Sequence, residues 1–122
     1  MEKGCVHVYM GKHWKDLNTA HGMALRACGA AFGVGFYSFG NEAAEMEELQ
    51  KRLPGLQALS SIQEDVSAFD MVILHDSHMA GHGILQDLLK SRPQNTEIVL
   101  CGASFADDVL AEADLISEIV TI

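Results

Sequence analysis

The residues from Tyr9 to Thr19, YMGKHWKDLNT, stand where an apolar run gives way to a helical pattern, and several of them could hold an anion. A phosphate-binding loop in that position needs glycines so that backbone N–H groups converge, a lysine for the outer phosphates, and a Ser or Thr for magnesium. Gly11 is one such glycine, Lys12 and Lys15 bring positive charge, and Asn18 and Thr19 bring polar groups to the start of the helix. His13 and Trp14 add aromatic surface; Trp14 could stack on a base or ring, or equally serve as a packing or subunit contact. A second group, HDSHMAGH, carries His75, Asp76, His78 and His82. Imidazole and carboxylate donors suit zinc, nickel or another borderline divalent ion, and His78 and His82 have the i, i+4 spacing of one helical face. His13 is a further candidate ligand. Histidines clustered on a loop without metal are the competing reading, and Gly81 and Gly83 weigh for it because glycine disfavours a continuous helix there. Residue types and spacing single out no catalytic group.

Positioning these residues is the task of alternating strand-like and helical runs in the order β-α-β-α-β-β-α-β-α-β. Cys5 to Met10 reads as a first strand, followed by a polar loop and a helix over about Asn18 to Ala31 with a narrow small-residue face. Gly33 to Phe39 reads as a second strand, with Gly35 marking a close helix approach. Asn41 caps a helix that Pro54 stops, with Glu42 and Glu45 at its start and Lys51 and Arg52 at its end, in agreement with the helix dipole. Leu56 to Ser60 is a short strand. Met71 to His75 is apolar throughout, so it is expected at the centre of a parallel sheet. Ile84, Leu85, Leu88 and Leu89 predict a helix ending before Pro93, and Glu97 to Cys101 another buried strand. Ser104 with Asp107 resembles a capping box for a helix packing through Val109, Leu110 and Ala113, and Leu115 to Ile122 closes the pattern. This alternation predicts an α/β fold with a mostly parallel, doubly wound sheet of five or six strands in a single domain over residues 1–122. Ligands of such sheets bind beyond the carboxyl ends of the strands, so the loops after Met10, Phe39, His75 and Cys101 should carry function.

Composition narrows the classes of partner. The chain is 48% hydrophobic and 20% charged, which supports a packed core, and its 17 acids against 8 bases give a net charge of −9. That charge opposes non-specific attraction to nucleic acid or an anionic membrane surface, so neither is expected as a partner. No apolar run approaches a membrane span, and MEKGCVHVYM has no secretory-signal pattern. Cys5, Cys28 and Cys101 are odd in number, lie in apolar surroundings and form no CxxC pair, so buried free thiols in a reducing cytoplasm are expected.

Four stretches together resemble the P-loop-type ATP:corrinoid (cob(I)alamin) adenosyltransferases along nearly the whole chain. HVYMG…TAHGMALRACG is similar to the family's strand, phosphate loop and helix with G-x-A-L-R-A-x-G, and VGFYSFG to a second strand ending in Q-F-x-K-G. FDMVILHDS occupies the place of D-x-V-V-L-D-E, and SRPQNTEIVLCGASFADDVLAEADLISEI that of R-P-x-x-x-E-V-V-L-T-G-R and L-x-x-x-A-D-x-V-S-E. The last is the most specific match and bears on ancestry and fold more than on chemistry. The resemblance implies a P-loop NTPase-like three-layer sandwich, with ATP, magnesium and a corrinoid as ligands.

The departures from the family fall on its chemistry. Counted without gaps from Tyr9, Asp16 takes the place of the phosphate-loop lysine and Leu17 that of the following hydroxyl residue, while His13 and Lys15 replace glycines. His75 and Asp76 stand for the acidic pair, and Ala103 for the arginine of T-G-R. The family's terminal extensions are lacking and the section between Gly40 and Asp70 is short. The leading expectation is a corrinoid adenosyltransferase-like protein with a degenerate ATP site that binds a small molecule or a protein partner, with a homodimer as a candidate assembly. An active ATP:cob(I)alamin adenosyltransferase is the second expectation. A divalent-metal-binding protein using His75, His78 and His82 is the third.

Overall fold

A computed structural model describes residues 4–11, 33–39, 51, 55–59, 66–75, 80, 81 and 83–118. Six strands form one sheet, parallel at every pairing: β1 (Val6–Met10), β2 (Val34–Ser38), β3 (Leu56–Ala58), β4 (Met71–His75), β5 (Glu97–Gly102) and β6 (Leu115–Glu118). Their order across the sheet is β3-β2-β4-β5-β1-β6. Helix α1 (Ile84–Lys90) joins β4 to β5, and α2 (Asp107–Ala111) joins β5 to β6. A 3-10 turn, Val66–Ala68, precedes β4. The expected parallel α/β architecture is therefore present. Among the described residues no helix is long and apolar enough to cross a membrane. The helices expected near 18–31 and 41–53 lie outside the described residues, apart from Lys51.

Burial explains the centre of the sheet. Val72, Ile73 and Leu74 of β4 and Ile98, Val99 and Leu100 of β5 are fully buried, although successive residues of a strand point to opposite faces. Both faces are thus covered, as the continuous apolar runs require. The register aligns Val6, Ile98 and Val72 in one cross-sheet row and Val8, Leu100 and Leu74 in the next. These rows pack with Leu85 and Leu89 of α1 and Val109 of α2 in one core cluster. The opposite face carries Phe36, Ile73 and Val99 in a shared row, with His7 beside Val99. Each fully buried aliphatic side chain contributes roughly 1.5–3 kcal/mol relative to exposure.

Gly35 does mark a close approach, but its neighbour is a ring rather than a helix. A Cβ there would lie 3.1 Å from the Phe69 side chain, so the glycine lets that ring settle on β2. Gly4 leaves no room either: an added Cβ would overlap the Thr96 carbonyl and come within 2.7 Å of that of Pro93.

Three charged residues fasten the amino edge of the sheet. The Asp114 carboxylate, just before β6, accepts the Val6 N–H at 2.7 Å, while the Asp114 N–H donates to the Val6 carbonyl at 2.8 Å. Asp70, just before β4, repeats the device with Gly33, accepting its N–H at 2.8 Å and donating to its carbonyl at 2.9 Å. In both cases an aspartate bonds a backbone N–H where the neighbouring strand begins. Arg92 donates from Nε to the Gly4 carbonyl at 2.8 Å and from Nη1 to the Leu89 carbonyl at 2.7 Å and Glu112 Oε2 at 3.0 Å. These are the Arg, Asp and Asp of SRP, FDMVIL and EADLI. Their work at the amino edge is structural.

Two local expectations are corrected. The residue capping α2 is Ala106, in extended conformation and without a side-chain capping bond, so Ser104 and Asp107 do not form a capping box. Cys5 is exposed, because it precedes β1 at the rim rather than facing a layer; Cys101 is buried as expected and Cys28 lies outside the described residues. Partial burial of the Cys5 thiol, and then the carboxylates of Asp114 and Glu97, raises its pKa above the usual thiol range, with Arg92 opposing.

Candidate functional site

Strand order decides where a ligand crevice can open. From β1 to β3 the chain advances toward one side of the sheet, and from β3 through β6 toward the other. Among the four inner strands, neighbours whose onward connections run in opposite directions along this order are β2 and β4, and β5 and β1. Switch points therefore lie at their carboxyl ends, beside Phe39 and His75 in one case and Gly11 and Ala103 in the other.

Each switch point is closed at its base by one backbone hydrogen bond. The Gly11 N–H donates to the Ala103 carbonyl at 3.2 Å, and the Phe39 N–H to the His75 carbonyl at 3.0 Å. Both bonds extend a ladder past the last paired residue, so any crevice begins with the residues that follow. Gly11 holds φ at 127°, a region that L side chains rarely adopt. The turn out of β1 thus favours glycine at this position.

His75 is the last residue of β4 and only 7% exposed. Its ring stands 5.7 Å from that of Phe36, at 37° to it, on the sheet face away from α1 and α2. An imidazole so placed is enclosed by the fold before any ligand arrives. Lys12, His13, Trp14, Lys15, Asn18 and Thr19 lie outside the described residues, as do Asp76, His78 and His82. Among the described neighbours of His78 and His82, residues 80, 81 and 83 are not helical, and α1 begins at Ile84 behind a left-handed Gly83 at φ 82°. Among the described residues no group of three His, Cys, Asp or Glu side chains could hold a metal.

The exits of β1 and β4, both rich in candidate ligands, are not immediate neighbours. Strand β5 separates them, which sets their ends about 10 Å apart, two interstrand spacings. Gly102 and Ala103 occupy the space between, Gly102 buried and Ala103 half-buried. In the sequence this segment is only one more loop after a strand; its central place comes from topology.

Behind the edge, on the same face as His75, His7 donates to or accepts from Ser117 Oγ at 3.1 Å through Nε2 and stacks on Tyr9 at 4.1 Å. Burial lowers the His7 pKa below its ordinary value, and Glu97 only partly opposes this. The unfolded chain then binds a proton more readily than the folded one. Stability attributable to neutral His7 is full above the unfolded pKa and is lost as pH falls through the folded one. In urea unfolding between pH 7.5 and 5.5, the His7→Gln variant should lose less stability than the parent. Parallel curves would show that His7 is not a source of the dependence.

No model of a known protein family matches the chain, and no curated protein matches it.

Proposed function

We propose that this is a corrinoid adenosyltransferase-like protein that has lost its ATP site and now binds a small ligand or a protein partner at the carboxyl edge of the sheet, in the cytoplasm. The observation that carries the reading is Gly11, held at φ 127° where a parallel sheet strand meets a switch point. That is the place of a phosphate loop, with its required glycine retained and its chemistry replaced. The donor set does not fit magnesium and a triphosphate. Asp16 brings negative charge toward the phosphates, Leu17 offers no oxygen to the metal, and Ala103 offers no cation from the neighbouring strand end.

A thermal-shift screen of the whole chain tests the reading, because any ligand that binds only the folded state raises the melting temperature. Cob(I)alamin held under reductant, hydroxocobalamin, Mg-ATP, and zinc or nickel are the arms. The expected result is a rise with a corrinoid and none with Mg-ATP. A rise with Mg-ATP, together with formation of adenosylcobalamin, would make the chain an active ATP:cob(I)alamin adenosyltransferase and overturn the proposal. A rise with metal alone would move the function to His75, Asp76, His78 and His82.

A further inference from the structure

We infer that the outer edge of β6 receives an extended, basic and apolar segment of a partner protein, added to the sheet as a further strand. Among the described residues β6 ends the sheet, with β1 on its inner side. Alternate residues of a parallel edge strand direct N–H and C=O groups away from the sheet, which is the chemistry that recognises another extended backbone. Natural edges are usually blunted by short strands, charge, proline or a bulge. Leu115-Ile116-Ser117-Glu118 is short and ends in a carboxylate, but it carries no lysine or proline, and its charge is of the sign that a basic strand meets. Leu115 is 54% exposed and Ile116 45%, and being successive they flank the edge on both faces of the sheet.

Charge selects the partner. Residues 93–122 contain Glu97, Asp107, Asp108, Glu112, Asp114 and Glu118 but no lysine, arginine or histidine. Asp107, Asp108, Glu112, Asp114 and Glu118 are exposed on α2, β6 and the turn between them. Arg92, 8% exposed, pairs with Glu112 and donates to two carbonyls, which leaves Asp107, Asp108, Asp114 and Glu118 as the exposed carboxylates it does not pair. An incoming strand alternating apolar and basic residues meets Leu115 with its apolar set and, with its basic set, the opposite face, where Ile116 and Glu118 lie beside α2 and its carboxylates. A second copy of this chain, at a net charge of −9, would bring like charge to the same edge.

The test uses the whole chain and a fluorescent peptide of about ten residues alternating lysine with valine, followed by anisotropy. Two control peptides carry glutamate for lysine, or N-methyl groups on alternate amides that remove one hydrogen-bonding edge. The basic peptide should bind, and affinity should fall on the order of tenfold or more for each control and for Ile116→Lys. Added salt should weaken binding without abolishing it. Ile116 is exposed, so the variant should keep its melting temperature; should it not, slowed hydrogen exchange at residues 115–118 of the parent chain with peptide bound provides the decision. Equal affinity of the N-methylated peptide, no binding at all, or unprotected β6 amides would overturn the inference. So would a parent dimer in sedimentation velocity that Ile116→Lys abolishes, since the occupant would then be a second copy.

Discussion

Titrated with Mg-ATP in a calorimeter, the chain should show no micromolar binding, and the double substitution Asp16→Lys with Leu17→Thr should raise whatever affinity exists. Charge-assisted contacts to phosphate contribute on the order of a few kcal/mol, so their loss weakens binding more than about a hundredfold. An aspartate at the same place adds repulsion. The double substitution restores a cation and a magnesium oxygen without touching Gly11, whose φ of 127° sets the turn out of β1. Micromolar affinity in the parent chain would refute the loss of the nucleotide site. Failure of the rescue, with the parent silent, would place the defect in the missing glycines, where His13 and Lys15 stand, since backbone N–H groups cannot converge on a phosphate past β-carbons.

Arg92→Met should lower the free energy of unfolding by about 2–4 kcal/mol, among the largest effects expected of any single change at the amino edge. The guanidinium satisfies the carbonyls of Gly4 and Leu89 while pairing with Glu112, so one side chain ties the start of β1, the end of α1 and the residue after α2. Methionine keeps the volume and leaves two carbonyls without that donor. Glu112→Gln is the contrasting control: its side chain is 42% exposed, and an exposed ion pair is worth under about 1 kcal/mol. Urea unfolding with an unchanged dependence on denaturant measures both variants on one scale. A cost for Arg92→Met no greater than that of Glu112→Gln would mean that the carbonyl contacts contribute little.

Much of the sheet is legible in the residues themselves. MVILH predicts β4 residue for residue, and EIVLC all but the last residue of β5, because a run apolar on both faces can be satisfied only where both faces are covered. The helix ending before Pro93 is likewise readable from Ile84, Leu85, Leu88 and Leu89. The capping box fails because Ser104 and Asp107 have the right spacing, yet the chain between them is still extended at Ala106. Spacing cannot report where a helix begins when the preceding dihedrals are set by the strand end it leaves.

What the sequence by itself determined is local: which runs are strands and which strands are central. The tertiary structure alone decided that β5 lies between β1 and β4 and so parts the two candidate loops. It also sent Asp70, Asp114 and Arg92 to the amino edge as structural contacts, and left Leu115 and Ile116 exposed at the rim. The reason is that hydrophobic period reports the faces a strand must bury, a property of adjacent residues. Strand order, and with it every cross-sheet neighbour, is set by how layers distant in sequence pack, and many orders bury the same faces equally well.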